Sequence, residues 1–145
     1  VATANSFIYT YGRQKIANQS CDWINDTFKG ILVGASTTAD TEKNVTALAG
    51  FTTLDECNAT GYAQVALTTT ACNADTTDLR CEFDADDIAF GALGNGTNFT
   101  IQGLVIYDDT EANDQPIVYV EFASTVGTNS GTITVVFSAD GIFTF

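Results

Sequence analysis

The chain has 145 residues, with 18 acidic and 5 basic side chains, no histidine, no methionine and a formal net charge of −13. Its length suits one domain, its 45% hydrophobic content is too apolar for a disordered chain, and no run approaches the roughly 18–20 apolar residues of a membrane-spanning helix. The acid excess argues against nucleic-acid binding, which rests on cationic contacts to phosphate, and the lack of histidine removes every histidine-dependent base, dyad and metal site.

Strand signals dominate in chain order. The start, Val1-Ala2-Thr3-Ala4-Asn5, lacks the basic patch and apolar core of a signal peptide. A strand is expected near 6–11, followed by one or two helical turns over 11–19. Residues 28–34 read as a strand. Residues 41–49 read as a second short helix, with Asp40 or Thr41 as cap and Gly50 as stop. Further strands are expected at 62–70, 79–83, 86–90, 98–107, 116–123 and 131–137, with a last short one at 142–145. Val118, Val120 and Phe122 alternate with Ile117, Tyr119 and Glu121, which gives one wholly apolar face. Residues 104–107 (Leu-Val-Ile-Tyr) are continuously apolar, so they read as a central strand covered on both faces. The lone proline, Pro116, stands at a strand start, where its missing N–H does least harm.

These elements predict a mainly β fold: a single-domain antiparallel β-sandwich, or a jelly-roll-like variant, with one or two short N-terminal helices. One domain spans 1–145, and segment 1–20 is a candidate interaction arm. Four of the five basic residues lie in the first 43 positions, while residues 75–140 hold 12 of the 18 acids. An acidic, solvated face is the simplest reading, and its self-repulsion favours solubility.

Chemistry-bearing motifs are few. Cys21, Cys57, Cys72 and Cys81 contain no C-x-x-C, so a zinc site is not expected. Cys72 and Cys81 flank a turn-rich stretch and are placed to meet across a hairpin; if they pair, Cys21 and Cys57 form the second pair. Four buried free thiols are the alternative. Glu82, Asp84 and Asp86 fall on one side of an extended strand and are the calcium candidates. Their spacing lacks the glycine of a calcium loop, and a solvated strand edge is the competing reading. Paired carboxylates alone do not make a glycosidase cleft, and no G-x-S-x-G, P-loop or G-x-G-x-x-G is present. No catalytic residue and no cofactor is assigned. Sequons at Asn18, Asn25, Asn44, Asn58, Asn95 and Asn98 bear on the protein only if a eukaryote secretes it.

A series of segments is distinctive in order and spacing. They are Trp23, Asn25-Asp26-Thr27-Phe28-Lys29-Gly30-Ile31-Leu32-Val33, Gly61-Tyr62, and Asp84-Ala85-Asp86-Asp87-Ile88-Ala89-Phe90. Gly103-Leu104-Val105-Ile106-Tyr107-Asp108-Asp109-Thr110, Pro116-Ile117-Val118-Tyr119 and Gly141-Ile142-Phe143-Thr144-Phe145 complete the series. In this pattern the chain resembles small virion proteins of tailed bacteriophages, although the four cysteines and the low basic count depart from it. The resemblance implies a structural role in the virion: decoration or cement on the capsid exterior, or a tail, neck or fibre-associated position. It implies the major capsid protein or other virion proteins as partners, and it carries no catalytic residues. A homo-oligomer is expected, a trimer first, because it would match a local three-fold axis. The contact is placed on residues 1–11, including Phe7, Tyr9 and Tyr11, with Arg13 and Lys15, and on Phe143 and Phe145. The edge of the core is the other reading for the two C-terminal phenylalanines, and Trp23 is assigned to the core. A secreted adhesin or carbohydrate-binding β-sandwich is the alternative from another class.

Overall fold

The computed structural model describes residues 6–145. Three antiparallel sheets build a mainly β, sandwich-like fold. The largest has five strands in the order β1-β8-β7-β2-β3. These strands are β1 (Phe7–Ile8), β2 (Phe28–Gly34), β3 (Val65–Ala66), β7 (Thr100–Asp108) and β8 (Gln115–Gly127). A three-stranded sheet has the order β10-β5-β4, from β4 (Ala71–Asp75), β5 (Arg80–Asp84) and β10 (Phe143–Thr144). A two-stranded ribbon joins β6 (Ile88–Leu93) to β9 (Gly131–Val135).

The alternation along β2 and β7 divides the interior in two. Phe28 and Leu32 of β2, with Leu104 and Ile106 of β7, point into the main core, where they meet Phe83, Ile88, Phe90, Val135 and Phe143 of the smaller sheets. Ile31 and Val33, with Val105 and Tyr107, point the other way into a second core with Tyr9, Ala39, Phe51 and Tyr119. Residues 104–107 are therefore covered on both faces, as the unbroken apolar run requires. The apolar face of Val118, Val120 and Phe122 enters the main core. Ile117 joins it, because the register between β7 and β8 shifts at Ile106/Tyr107.

Trp23 ties the layers of the main core together. Its ring lies 4.4 Å from Phe28, 5.1 Å from Phe143 and 6.1 Å from Phe83. Its Nε1 donates to the Asp84 carbonyl at 3.0 Å, so the indole brings no unsatisfied N–H into the interior.

The N-terminal strand is shorter than expected. It stops at Ile8, and α1 (Thr10–Ala17) begins two residues later. An eight-residue helix without a side-chain cap is marginal alone. Packing holds it. Tyr9 N–H donates to the Ile117 carbonyl at 2.9 Å, and Gly12 lies so close to β8 that a Cβ would stand 2.9 Å from both Ile117 Cα and the Pro116 carbonyl oxygen.

The second helix expected at 41–49 does not form. That segment is a series of turns ending in one 3-10 turn, Leu48–Gly50. Asn44, Val45 and Thr46 are poor helix formers, and Glu42 is used across the loop instead. Its carboxylate accepts from Thr38 Oγ1 at 2.6 Å, Thr52 N at 2.8 Å and Thr52 Oγ1 at 2.5 Å. The strand expected over 62–70 shrinks to Val65–Ala66. Strand β4, which sequence reading missed, follows at Ala71–Asp75.

Two outcomes test this packing by denaturant unfolding. Trp23→Ala is expected to cost about 3–5 kcal/mol, the range for deleting a buried aromatic. Gly12→Ala is expected to cost about 1–3 kcal/mol through overpacking against β8. Glu42 gives a pH test. Hydrogen bonds from Thr38 and Thr52 hold its carboxyl below the ordinary value, so its stabilising effect is present above the carboxylate range and is lost as pH falls through the lowered value. Glu42→Gln should lower the melting temperature at neutral pH, and the gap to wild type should close in acid.

Candidate functional site

A groove of about 310 Å³ lies where the N-terminal and C-terminal strands meet. Ser6, Phe7 and Ile8 form one wall, Ile142, Phe143 and Thr144 the other, and Val118 and Arg13 complete the lining. The C-terminal wall depends on Gly141. Its φ is +88°, and a Cβ there would stand 2.7 Å from the Phe83 carbonyl oxygen. This turn returns the chain onto β5. Ile142 N–H donates to the Phe83 carbonyl at 2.7 Å, and Phe145 exchanges backbone bonds with Cys81.

Two properties set the groove apart from the rest of the described surface. Among the described residues both walls are edge strands: β1 pairs only with β8, and β10 only with β5. Each keeps one side of its backbone without a ladder partner. The lining also contains no acidic side chain, although the chain carries 18 acids. Arg13 is exposed there and has no ion pair among the described residues. Lys43 holds its ammonium 4.4 Å above the Phe7 ring.

The structure thus gathers three of the seven sequence-predicted contact residues, Phe7, Arg13 and Phe143, into one groove. Residues 1–5 of the expected arm lie outside the described residues. Tyr9 is not available for contact: it is fully buried, and its hydroxyl donates to the Ala39 carbonyl at 2.7 Å. Burial pushes its pKa well up. The Phe143 ring is also taken by the core, where it stacks on Phe83 at 4.6 Å, so its groove contribution is an edge and a backbone. Lys15 is ion-paired with Glu111 at 2.7 Å. Tyr11 and Phe145 are exposed outside the groove lining. Ile8 falls within the expected 1–11 contact, whereas Val118, Ile142 and Thr144 were missed, because only the pairing of distant strands brings them together.

Among the described residues Glu82, Asp84 and Asp86, the calcium candidates, do not form a cluster of metal-ligating atoms. Glu82 accepts from Arg80 at 2.8 Å, Asp86 accepts from Thr69 at 2.6 Å, and the carbonyl of Asp84 is engaged by Trp23. The metal-capable side chains that do cluster among the described residues are Cys21, Asp26 and Asp108, with one ligand atom of each within 4.8 Å of the others. Asp108 is the last residue of β7. Its proximity to Cys21 follows from the pairing of Phe28 with Asp108 across β2 and β7.

Cys72 and Cys81 meet as expected, on diagonal positions of the β4–β5 hairpin with their Sγ atoms 3.2 Å apart. Burial, then the neighbouring Cys81 thiol, pushes Cys72 up to about 11. The second pairing does not hold. Cys21 faces Asp108 at the Phe28 end of β2, while Cys57 N–H donates to the Leu32 carbonyl. Cys21 and Cys57 are both buried free thiols.

Comparison with protein-family models, with curated proteins and with solved structures finds no match to the chain.

Treatment of the folded protein with a mild oxidant should link Cys72 to Cys81 only, faster as pH rises toward the thiol pKa, with Cys21 and Cys57 alkylated only after unfolding. Peptide mapping of a Cys21–Cys57 bridge would contradict the assigned positions.

Proposed function

We propose that the protein is a non-enzymatic virion structural protein of a tailed bacteriophage, a decoration or cement protein that binds the capsid exterior and ties subunit junctions. The observation that carries this reading is the groove between β1 and β10, flanked by two open strand edges. A clasp needs a contact surface rather than a reaction centre. An extended segment of a capsid subunit can pair its backbone with either edge and set alternate side chains on Ile8, Val118 and Ile142. Arg13 supplies a charge-assisted hydrogen bond to a carboxylate on that segment. The resemblance to phage virion proteins supports the same reading, and so does the net charge of −13, which keeps densely coated particles apart. Contact between three copies around a local three-fold axis would place three such grooves over one junction.

Quantitative mass spectrometry of purified particles tests the assignment. A copy number within a few-fold of the major capsid protein is expected; a handful of copies would move the protein to the tail or neck, and absence would end the virion reading. Arg13→Glu should weaken particle binding by about tenfold or more, the effect of one interfacial hot-spot side chain. Leu79→Ser, at the exposed tip of the β4–β5 hairpin, should leave binding unchanged.

A further inference from the structure

We propose that Cys21, Asp26 and Asp108 form a binding site for a divalent cation of the zinc class, independent of the docking groove. The three side chains come from two segments held together by backbone and side-chain bonds. Thr27 N–H donates to Thr110 Oγ1 at 2.8 Å, and Asp109 N–H donates to the Thr27 carbonyl at 2.8 Å. Asp26 is set in place by the Asp22 N–H, which donates to its Oδ2 at 2.6 Å.

The group that points to a ligand is Asp108. Its side chain is fully buried, and its Oδ1 accepts from Thr110 N–H at 2.9 Å. Among the described residues its Oδ2 has no hydrogen-bond partner, and the Cys21 thiol and the Glu111 N–H stand by the carboxyl. Neither Asp108 nor Asp26 has an ion-pair partner among the described residues. Lys15 and Lys29, on the adjoining segments, are held by Glu111 and Asp109. Two carboxyl groups and a thiol thus crowd together without a balancing positive charge, an arrangement that costs energy unless a proton or a cation enters it.

The donor set selects the ion. Calcium and magnesium prefer oxygen donors alone. A thiolate with two carboxylates suits a borderline ion such as Zn²⁺, bound by sulfur at about 2.3 Å and by oxygen at about 2.0–2.2 Å. Ligand atoms already within 4.8 Å need only a small contraction to reach a tetrahedral set. Binding replaces the thiol proton of Cys21 with the metal and releases that proton to solvent. Cys21 also lines a second groove of about 400 Å³, shared with Trp23, Ile24 and Phe83, so the cluster adjoins a concave surface on its Cys21 side.

The test is titration of the full chain with Zn²⁺, and with Co²⁺ as a spectroscopic probe, in a Cys72→Ser/Cys81→Ser background that removes the surface dithiol. One Zn²⁺ per chain, a raised melting temperature reversed by a chelator, and a thiolate-to-Co²⁺ charge-transfer band are expected. Cys21→Ser should abolish the band, and Asp108→Asn and Asp26→Asn should each weaken Zn²⁺ binding by more than about 100-fold, beyond the loss for an outer-shell partner. Asp108→Asn keeps the acceptor for Thr110, and unfolding of its metal-free form checks that it is folded. No binding in the Cys72→Ser/Cys81→Ser background, or binding unchanged in both folded Asp variants, would overturn the site.

Discussion

A sheet whose central strands are apolar on both faces must be covered twice, and this constraint organises the molecule. Strands β2, β7 and β8 place Leu32, Leu104 and Val120 on one side and Ile31, Val105 and Tyr119 on the other. The smaller sheets cover the first side. The second is covered by irregular chain: Tyr9 at the start of α1, and the loop that carries Ala39 and Phe51. Neither Tyr9 nor Phe51 sits in a strand, yet both complete a core, and Glu42 and the Tyr9 hydroxyl tie this cover down by hydrogen bonds.

The same requirement positions the groove. Covering the second face draws the N-terminal segment along β8, so β1 becomes the sheet edge. Covering the first face brings β10 back through the Gly141 turn onto β5, so it becomes the edge of the other sheet. Two short edges then stand on either side of one concave surface. Short edge strands limit unwanted self-association, and they remain open to a partner strand of the right shape and charge. The scarcity of cations sharpens that selectivity, because among the described residues Arg13 has no carboxylate paired with it whereas Lys15, Lys29 and Arg80 do.

Much of the fold was legible because its strands obey simple patterns. β2 matched its expected bounds, and the doubly covered run at 104–107 was readable from its lack of any polar position. Strand β4 was not legible: Ala71-Cys72-Asn73-Ala74-Asp75 has little β preference, and hairpin pairing with β5 imposes its conformation. The second helix failed because a helix-compatible stretch carried Glu42, whose best partners lay across a loop. The site was half legible. Phe7, Arg13 and Phe143 were identifiable as aromatic and basic residues near the two ends, but Tyr9 looked the same and is core. Cys21 was noticed for a partner cysteine, when its actual neighbours are two carboxylates that only strand pairing brings near.

The central claim is that the open edges of β1 and β10 are where the protein meets its partner. Hydrogen–deuterium exchange of the protein, free and bound to purified capsids, tests this most directly. The account expects new amide protection at Phe7–Ile8 and Phe143–Thr144, with the exposed β4–β5 hairpin tip unchanged. Protection concentrated at that hairpin, or bound protein with both edges exchanging as fast as in solution, would contradict it.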